Sequence, residues 1–154
     1  MAIIRQATIL DIPNLAELNK ECLPIYYDYF QHLTFIMSSS NLVLVVEHNN
    51  LIIGYLIGEY NYNNTNNFHI LSIGVLEKYR SKGIGKKLID NININNITLY
   101  VHTLNEKGIN FYKRNGFTIT KLLKDYYKGM FDSLSHDAYL LNYKNTNQSN
   151  NNRD

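Results

Sequence analysis

Apolar positions along the chain follow two periods, and the switches between them mark the elements. Ile3 to Ala7 reads as a first strand, and Asp11 then stands where a helix cap would, with Pro13 early in the helix and Leu15, Ala16 and Leu18 on its buried face. Pro24 ends that helix. A second helical stretch runs from about Ile25 to Met37, carrying more aromatic rings (Tyr26, Tyr27, Tyr29, Phe30, Phe35) than a short helix needs for packing, so some are expected to line a pocket. Leu42 to Glu47 and Leu51 to Tyr60 are apolar, β-branched runs, and His48-Asn49-Asn50 between them has the composition of a hairpin turn. The polar stretch from Asn61 to Asn67 reads as a mobile loop. Phe68 to Val75 is a fourth strand with His69, Leu71 and Ile73 on one face, interrupted by Gly74, a residue that marks a bulge or a close approach. A helix from Gly85 to about Ile92, a strand from Ile97 to Thr103, a helix from Glu106 to Arg114 and strands at Phe117–Thr120 and Ala138–Tyr143 complete the pattern. Strands separated by helices predict an α/β (α+β) domain with a mixed sheet and helices on its faces.

Composition narrows the class. With 154 residues, 45% of them hydrophobic, the chain supports one core, expected over residues 1–144, and the Asn-rich stretch 145–154 reads as a disordered tail. A net charge of +2 with 18% charged residues provides no field to gather nucleic acid or an anionic membrane, so neither is expected as a partner. One cysteine, Cys22, and an N-terminus without a long apolar segment fit a reducing, cytoplasmic setting. The Asn-x-Ser/Thr triplets at Asn63, Asn96 and Asn147 follow from the high Asn content rather than from glycosylation. No metal site is expected.

The candidate chemistry begins at Arg80-Ser81-Lys82-Gly83-Ile84-Gly85-Lys86-Lys87, a basic loop between a strand and a helix. Such a loop offers unpaired main-chain N–H groups and the positive end of a helix to a pyrophosphate, and Gly83 and Gly85 let backbone come close to it. Two other phosphate motifs do not fit. A P-loop needs Ser or Thr where Lys87 stands and a glycine where Arg80 stands; a dinucleotide fingerprint needs a third glycine at Leu88.

Arg80-x-x-Gly83-x-Gly85, followed downstream by Asn105-x-x-x-Ile109-x-Phe111-Tyr112-x-x-x-Gly116-Phe117, resembles the GNAT superfamily of N-acetyltransferases. The resemblance implies the GNAT fold, a mostly antiparallel sheet of about seven strands with helices on both faces and a splayed pair of strands at the acetyl-CoA site. Within the superfamily the chain looks most like the protein N-terminal acetyltransferases, especially the E-type catalytic subunits. Leu23-Pro24-Ile25-Tyr26-Tyr27 resembles that family's loop between the first two helices, and Asp125-Tyr126-Tyr127 its paired tyrosines before the last strand. Both segments wall the peptide site in the family. A Glu usually stands at the position of Ile25 in the branch acting on Ser and Ala N-termini, so Ile25 implies an apolar first-residue pocket.

The resemblance implies acetyl-CoA on residues 80–86, Ile73, Val75 and Asn105, with Asn105 also capping the helix that begins near Glu106. Tyr112 matches the tyrosine that protonates the leaving thiolate. Leu23, Pro24, Ile25 and Leu71 would receive the first side chain of the peptide, and Tyr27, Tyr126 and Tyr127 its backbone. Relatives place Tyr on the fourth strand and His on the fifth as the pair beside the amine, whereas this chain holds His69 and Tyr100 there. His69, Tyr100 and His102, one pleat further along, remain three candidates for the base. The expected reaction is acetyl transfer to a protein N-terminus with an apolar first residue, with an auxiliary ribosome-anchoring subunit as a further partner. A small-amine or lysine acetyltransferase and a non-catalytic acetyl-CoA binder are the alternatives.

Overall fold

A computed structural model describes residues 1–144; the expected tail from Asn145 to Asp154 lies outside them. The alternating runs form strands β1 (Ile3–Gln6), β2 (Asn41–His48), β3 (Leu51–Asn61), β4 (Asn64–Val75), β5 (Asn96–His102), β6 (Thr118–Leu123) and β7 (Ala138–Lys144). They make a seven-stranded sheet of order β1-β2-β3-β4-β5-β7-β6. β1 with β2, β2 with β3, β5 with β7 and β6 with β7 run antiparallel. The helices are α1 (Ile12–Cys22), α2 (Tyr29–Met37), α3 (Ile84–Asp90) and α4 (Glu106–Arg114). Among the described residues no helix is long and apolar enough to cross a membrane.

The chain divides into two compact units, one of Met1–Tyr60 and Ile70–Ile92, the other of Asn61–His69 and the described residues from Asn93 onward. In the first, Leu15 and Leu18 of α1 pack with Val43, Val45, Ile52, Tyr55 and Ile57 of β2 and β3. The β2–β3 hairpin closes through Asn49 and Asn50 at φ 50° and 61°, the two left-handed positions of a type I′ turn, which Asn tolerates better than most residues. In the second unit, Asn105 caps α4 by accepting the Gly108 N–H at 3.0 Å, as its place in the sequence predicts.

Three local expectations are corrected. Asp11 does not cap α1 with its side chain. Its carboxylate instead binds the Arg5 guanidinium at 2.8 Å and the Thr8 N–H at 2.7 Å, which hold its pKa below the usual carboxylate range. The second helix starts at Tyr29 rather than near Ile25, because Asp28 and Gln31 form a reciprocal capping box at 2.8 and 2.9 Å. The expected loop from Asn61 to Asn67 is a tight turn at Tyr62-Asn63, where the Asn61 side chain accepts the N–H groups of Asn63 (2.9 Å) and Asn64 (3.2 Å).

Gly74 stands at a close approach, as expected of a strand glycine, and the approaching groups are side chains. A Cβ there would lie 2.6 Å from Tyr55 Cε1 and 2.9 Å from Cys22 Cβ, closer than such atoms approach. Gly74→Ala is therefore expected to destabilise the chain by roughly 1–3 kcal/mol through overpacking. Equilibrium urea denaturation measures it, and a midpoint and slope equal to wild type would show that Tyr55 and Cys22 yield without cost.

Candidate active site

In the first unit the basic loop leaves β4 through a 3-10 turn at Glu77–Tyr79. Ser81 (φ 59°) and Gly83 (φ 78°) both adopt left-handed backbone, and α3 begins directly after Gly83. Gly83 needs to be glycine for that φ, and nothing lies within 4 Å of where its Cβ would be. Lys87 N–H makes the first helical bond, to the Gly83 carbonyl at 3.0 Å; among the described residues no acceptor takes the N–H groups of residues 81 to 86. Ile84, Leu88 and Ile89 are buried and anchor the short helix from below. A diphosphate fits this loop, because it would meet a row of unclaimed donors on an open backbone.

The cations around the loop are partly committed. Lys86 pairs with Asp90 at 2.7 Å, and Lys82 Nζ lies 5.5 Å above the Tyr79 ring. The Arg80 guanidinium donates from Nε to the Val75 carbonyl at 2.8 Å, tying the loop to the end of β4. Leu71, Ile73 and Val75 share one half-buried face of β4, and Ser72 and Gly74 are buried on the other.

The loop residues between α1 and α2 lie in the same unit. Leu23, Ile25 and Tyr27 are half-buried and alternate with exposed Pro24 and Tyr26. Tyr27 packs edge-on against Phe35 at 4.9 Å between ring centroids and against His32 at 6.1 Å. His32 is fully buried, and this burial lowers its pKa although Asp28 and the Tyr27 backbone oppose the shift. Asn19, also fully buried, accepts the Tyr27 N–H at 2.7 Å and donates to Tyr55 Oη (2.8 Å) and Ser72 Oγ (3.3 Å). Burial pushes the Tyr55 phenol up to about 12, so it keeps its proton.

The second unit gathers the titratable and aromatic candidates. His69 Nδ1 lies 2.7 Å from Thr98 Oγ1, and its ring stands 4.8 Å from that of Tyr100. Tyr100 contacts Tyr126 at 4.6 Å, and Tyr126 meets Tyr127 edge-on at 4.9 Å. Burial, with the Tyr100 phenol beside it, raises the Tyr126 pKa. The segment carrying these tyrosines is stapled at its base: Asp137 accepts the Asp125 N–H at 2.9 Å and Lys124 Nζ at 2.8 Å, and the Tyr127 N–H reaches the His136 carbonyl at 2.8 Å.

His102 shares the face of Tyr100 on β5, but its nitrogens are already used. Nε2 donates to the Ser135 carbonyl at 2.6 Å, so Nδ1 carries the lone pair and accepts the Leu104 N–H at 3.2 Å. His102 therefore holds the segment before β7. Tyr112 lies on α4, half-buried, with its ring against Phe111 (5.2 Å) and Phe117 (5.6 Å).

The family model of the acetyltransferase (GNAT) domain matches residues 39–119. The chain belongs to the GNAT acetyltransferase family. An N-alpha-acetyltransferase of Sulfolobus acidocaldarius is 30% identical over 155 residues, covering 90% of this chain and 89% of that protein. N-alpha-acetyltransferase 50 of Danio rerio is 27% identical over 82% of this chain and 80% of its own. The solved structure of Ard1 from Thermoplasma volcanium aligns with a TM-score of 0.80 at 26% identity, over 93% of this chain and 97% of that one. This GNAT chain is accordingly an acetyl-CoA-dependent N-acetyltransferase.

Of the residues singled out from sequence, the structure groups His69, Tyr100, Tyr126 and Tyr127 in one cluster and Leu23, Ile25 and Tyr27 on one loop. Sequence reasoning missed Thr98 and the Asn19–Tyr55–Ser72 network. Thr98 was findable, since strand alternation puts it on the face of Tyr100 and His102. Asn19 had no comparable signal, because its partners lie 36 and 53 residues away.

Proposed function

We propose that this enzyme acetylates the α-amino group of a protein N-terminus whose first residue is apolar, Met-start chains above all, and that Leu23, Pro24, Ile25 and Leu71 receive that side chain. Tyr27, Tyr126 and Tyr127 hold the peptide backbone. The observation that carries this reading is the His69 imidazole, bound to Thr98 and set against Tyr100, whose ring in turn meets the paired tyrosines.

Acetyl-CoA supplies an acetyl group already activated as a thioester. On the protein's side, the N–H groups of residues 81–86 bind the diphosphate, with Lys82 and Lys86 adding positive charge beside it. Asn105 makes a further contact to the coenzyme, and the main chain at Ile73 and Val75 pairs with its pantetheine amides. An α-amine with a pKa of about 7.7–8.0 is roughly one-tenth neutral at pH 7, so only a modest base is required. His69 accepts the amine's proton, directly or through a water held with Tyr100. Tyr112 Oη gives a proton to the departing sulfur. One N–C bond forms and one C–S bond breaks, and both side chains recover their starting state through solvent. An auxiliary ribosome-anchoring subunit and a cytoplasmic setting belong to the same reading.

Acceptor competition tests it. Purified enzyme with acetyl-CoA is offered Met-start peptides, the same peptides with blocked N-termini, free lysine and polyamines. Acetylation of the free Met-start peptides in preference to the rest is expected. Activity confined to the blocked peptides or the small amines would replace the N-terminal acceptor, and tight acetyl-CoA binding without turnover would make the chain a binder.

A further inference from the structure

The loop that carries the proposed acceptor-binding residues is held at both ends by one buried residue, Asn19. Asn19, in the last turns of α1, accepts the Leu23 N–H on its main-chain carbonyl at 3.1 Å, which closes the helix and starts the loop. Its side-chain carbonyl accepts the Tyr27 N–H at 2.7 Å, where the loop ends and Asp28 caps α2. The Tyr27 N–H is obligately a donor, so this contact fixes which end of the amide is oxygen. The amide nitrogen then faces Tyr55 Oη at 2.8 Å and Ser72 Oγ at 3.3 Å, two hydroxyls that bond each other at 2.9 Å. Asn19 and Ser72 are buried, as is Tyr55. Each polar atom of the side chain is thus satisfied, and the amide has one orientation in which that is true.

We propose that Asn19 is the positioning residue of the acceptor loop, setting Leu23, Ile25 and Tyr27 against a reference made of Tyr55 on β3 and Ser72 on β4. The inference rests on the reading of residues 23–27 as the acceptor wall. It adds a mechanism by which the first-residue pocket keeps its shape without secondary structure of its own. Residues 23 to 28 contain no regular element, and a loop of this kind would otherwise sample many conformations, each ordering event weakening peptide binding. The two termini of the loop are instead tied to one residue, the first to its main chain and the second to its side chain. Ser72 also stands between Leu71 and Ile73 on β4, so the strand that presents Leu71 on its other face is the strand to which the anchor is attached.

Asn19→Ala is the test, with two readouts. The KM for a Met-start peptide is expected to rise about tenfold while kcat and the affinity for acetyl-CoA, measured by calorimetry, stay within about twofold. Amide hydrogen exchange at Tyr27 is expected to accelerate by about 10²-fold or more, with no comparable change in β2 or β3. Asn19→Asp keeps an acceptor for Tyr27 N–H and should restore slow exchange there and most of the peptide affinity. Should Asn19→Ala not fold, Tyr55→Phe and Ser72→Ala each remove one partner of the amide nitrogen. Each should raise the peptide KM in the same direction by a smaller factor. A folded Asn19→Ala enzyme with unchanged Tyr27 exchange, or one whose acetyl-CoA affinity falls in step with its peptide affinity, overturns the assignment. A wild-type enzyme that acetylates no peptide would instead overturn the acceptor reading, and exchange at Tyr27 would still decide whether Asn19 anchors the loop.

Discussion

Replacing His69 with alanine is expected to lower kcat/KM for a Met-start peptide about 10²-fold at pH 7, the lower end of the range for a general base. The size follows from the acceptor. An α-amine loses its own proton near pH 8, so the base has only about one pKa unit of work to do. The deficit of the mutant should therefore shrink as the pH rises and nearly vanish above about pH 9, where the amine is neutral unaided. A pH profile of kcat/KM for both proteins measures this, and a deficit that stays constant across the profile would remove His69 from the role. Thr98→Val gives an internal comparison. It keeps the shape of the side chain and removes the hydroxyl 2.7 Å from Nδ1, so it should cost less than the loss of the ring itself.

Tyr112→Phe carries the second large effect, a fall in kcat of roughly 10- to 10²-fold with acetyl-CoA affinity unchanged. A thiolate is a tolerable leaving group, since a free thiol has a pKa of about 8.5, and proton donation to it contributes less than it would to an alkoxide or amide. The substitution also isolates the hydroxyl. The Tyr112 ring packs on Phe111 and Phe117 at 5.2 and 5.6 Å, contacts that phenylalanine retains, so the thermal midpoint should hold. Steady-state kinetics with a calorimetric titration of acetyl-CoA separates the outcomes. Loss of coenzyme affinity with kcat preserved would assign Tyr112 to packing of the coenzyme site.

Much of the fold was legible because it depends on near neighbours. The β2–β3 hairpin follows from two apolar runs and an Asn-Asn pair, and the pair does take the two left-handed positions the turn requires. The α4 cap followed from Asn105 standing before a helical period. The misreadings arose where two local rules competed. Apolar periodicity favoured a helix from Ile25, yet the capping box at Asp28 and the claim of Asn19 on the Tyr27 N–H set its start at Tyr29. Polar composition suggested a floppy loop after Asn61, yet a single asparagine side chain closes it into a tight turn. Gly74 stands at a close approach, as expected, and the approaching groups are the Tyr55 and Cys22 side chains.

The chain's order of residues, taken alone, determined which elements form, the left-handed glycine at the head of α3, and which side chains share a strand face, because these rest on backbone sterics and on periods of a few residues. It could nominate His69, Tyr100 and His102 as bases but could not rank them. Tertiary structure gave each of them different partners. It committed both His102 nitrogens to the main chain around Leu104 and Ser135, set Thr98 against His69, and placed Asn19 between Tyr27, Tyr55 and Ser72. Hydrogen bonds between residues far apart along the chain exist only once packing has brought the partners within about 3 Å and excluded the water that would otherwise satisfy them.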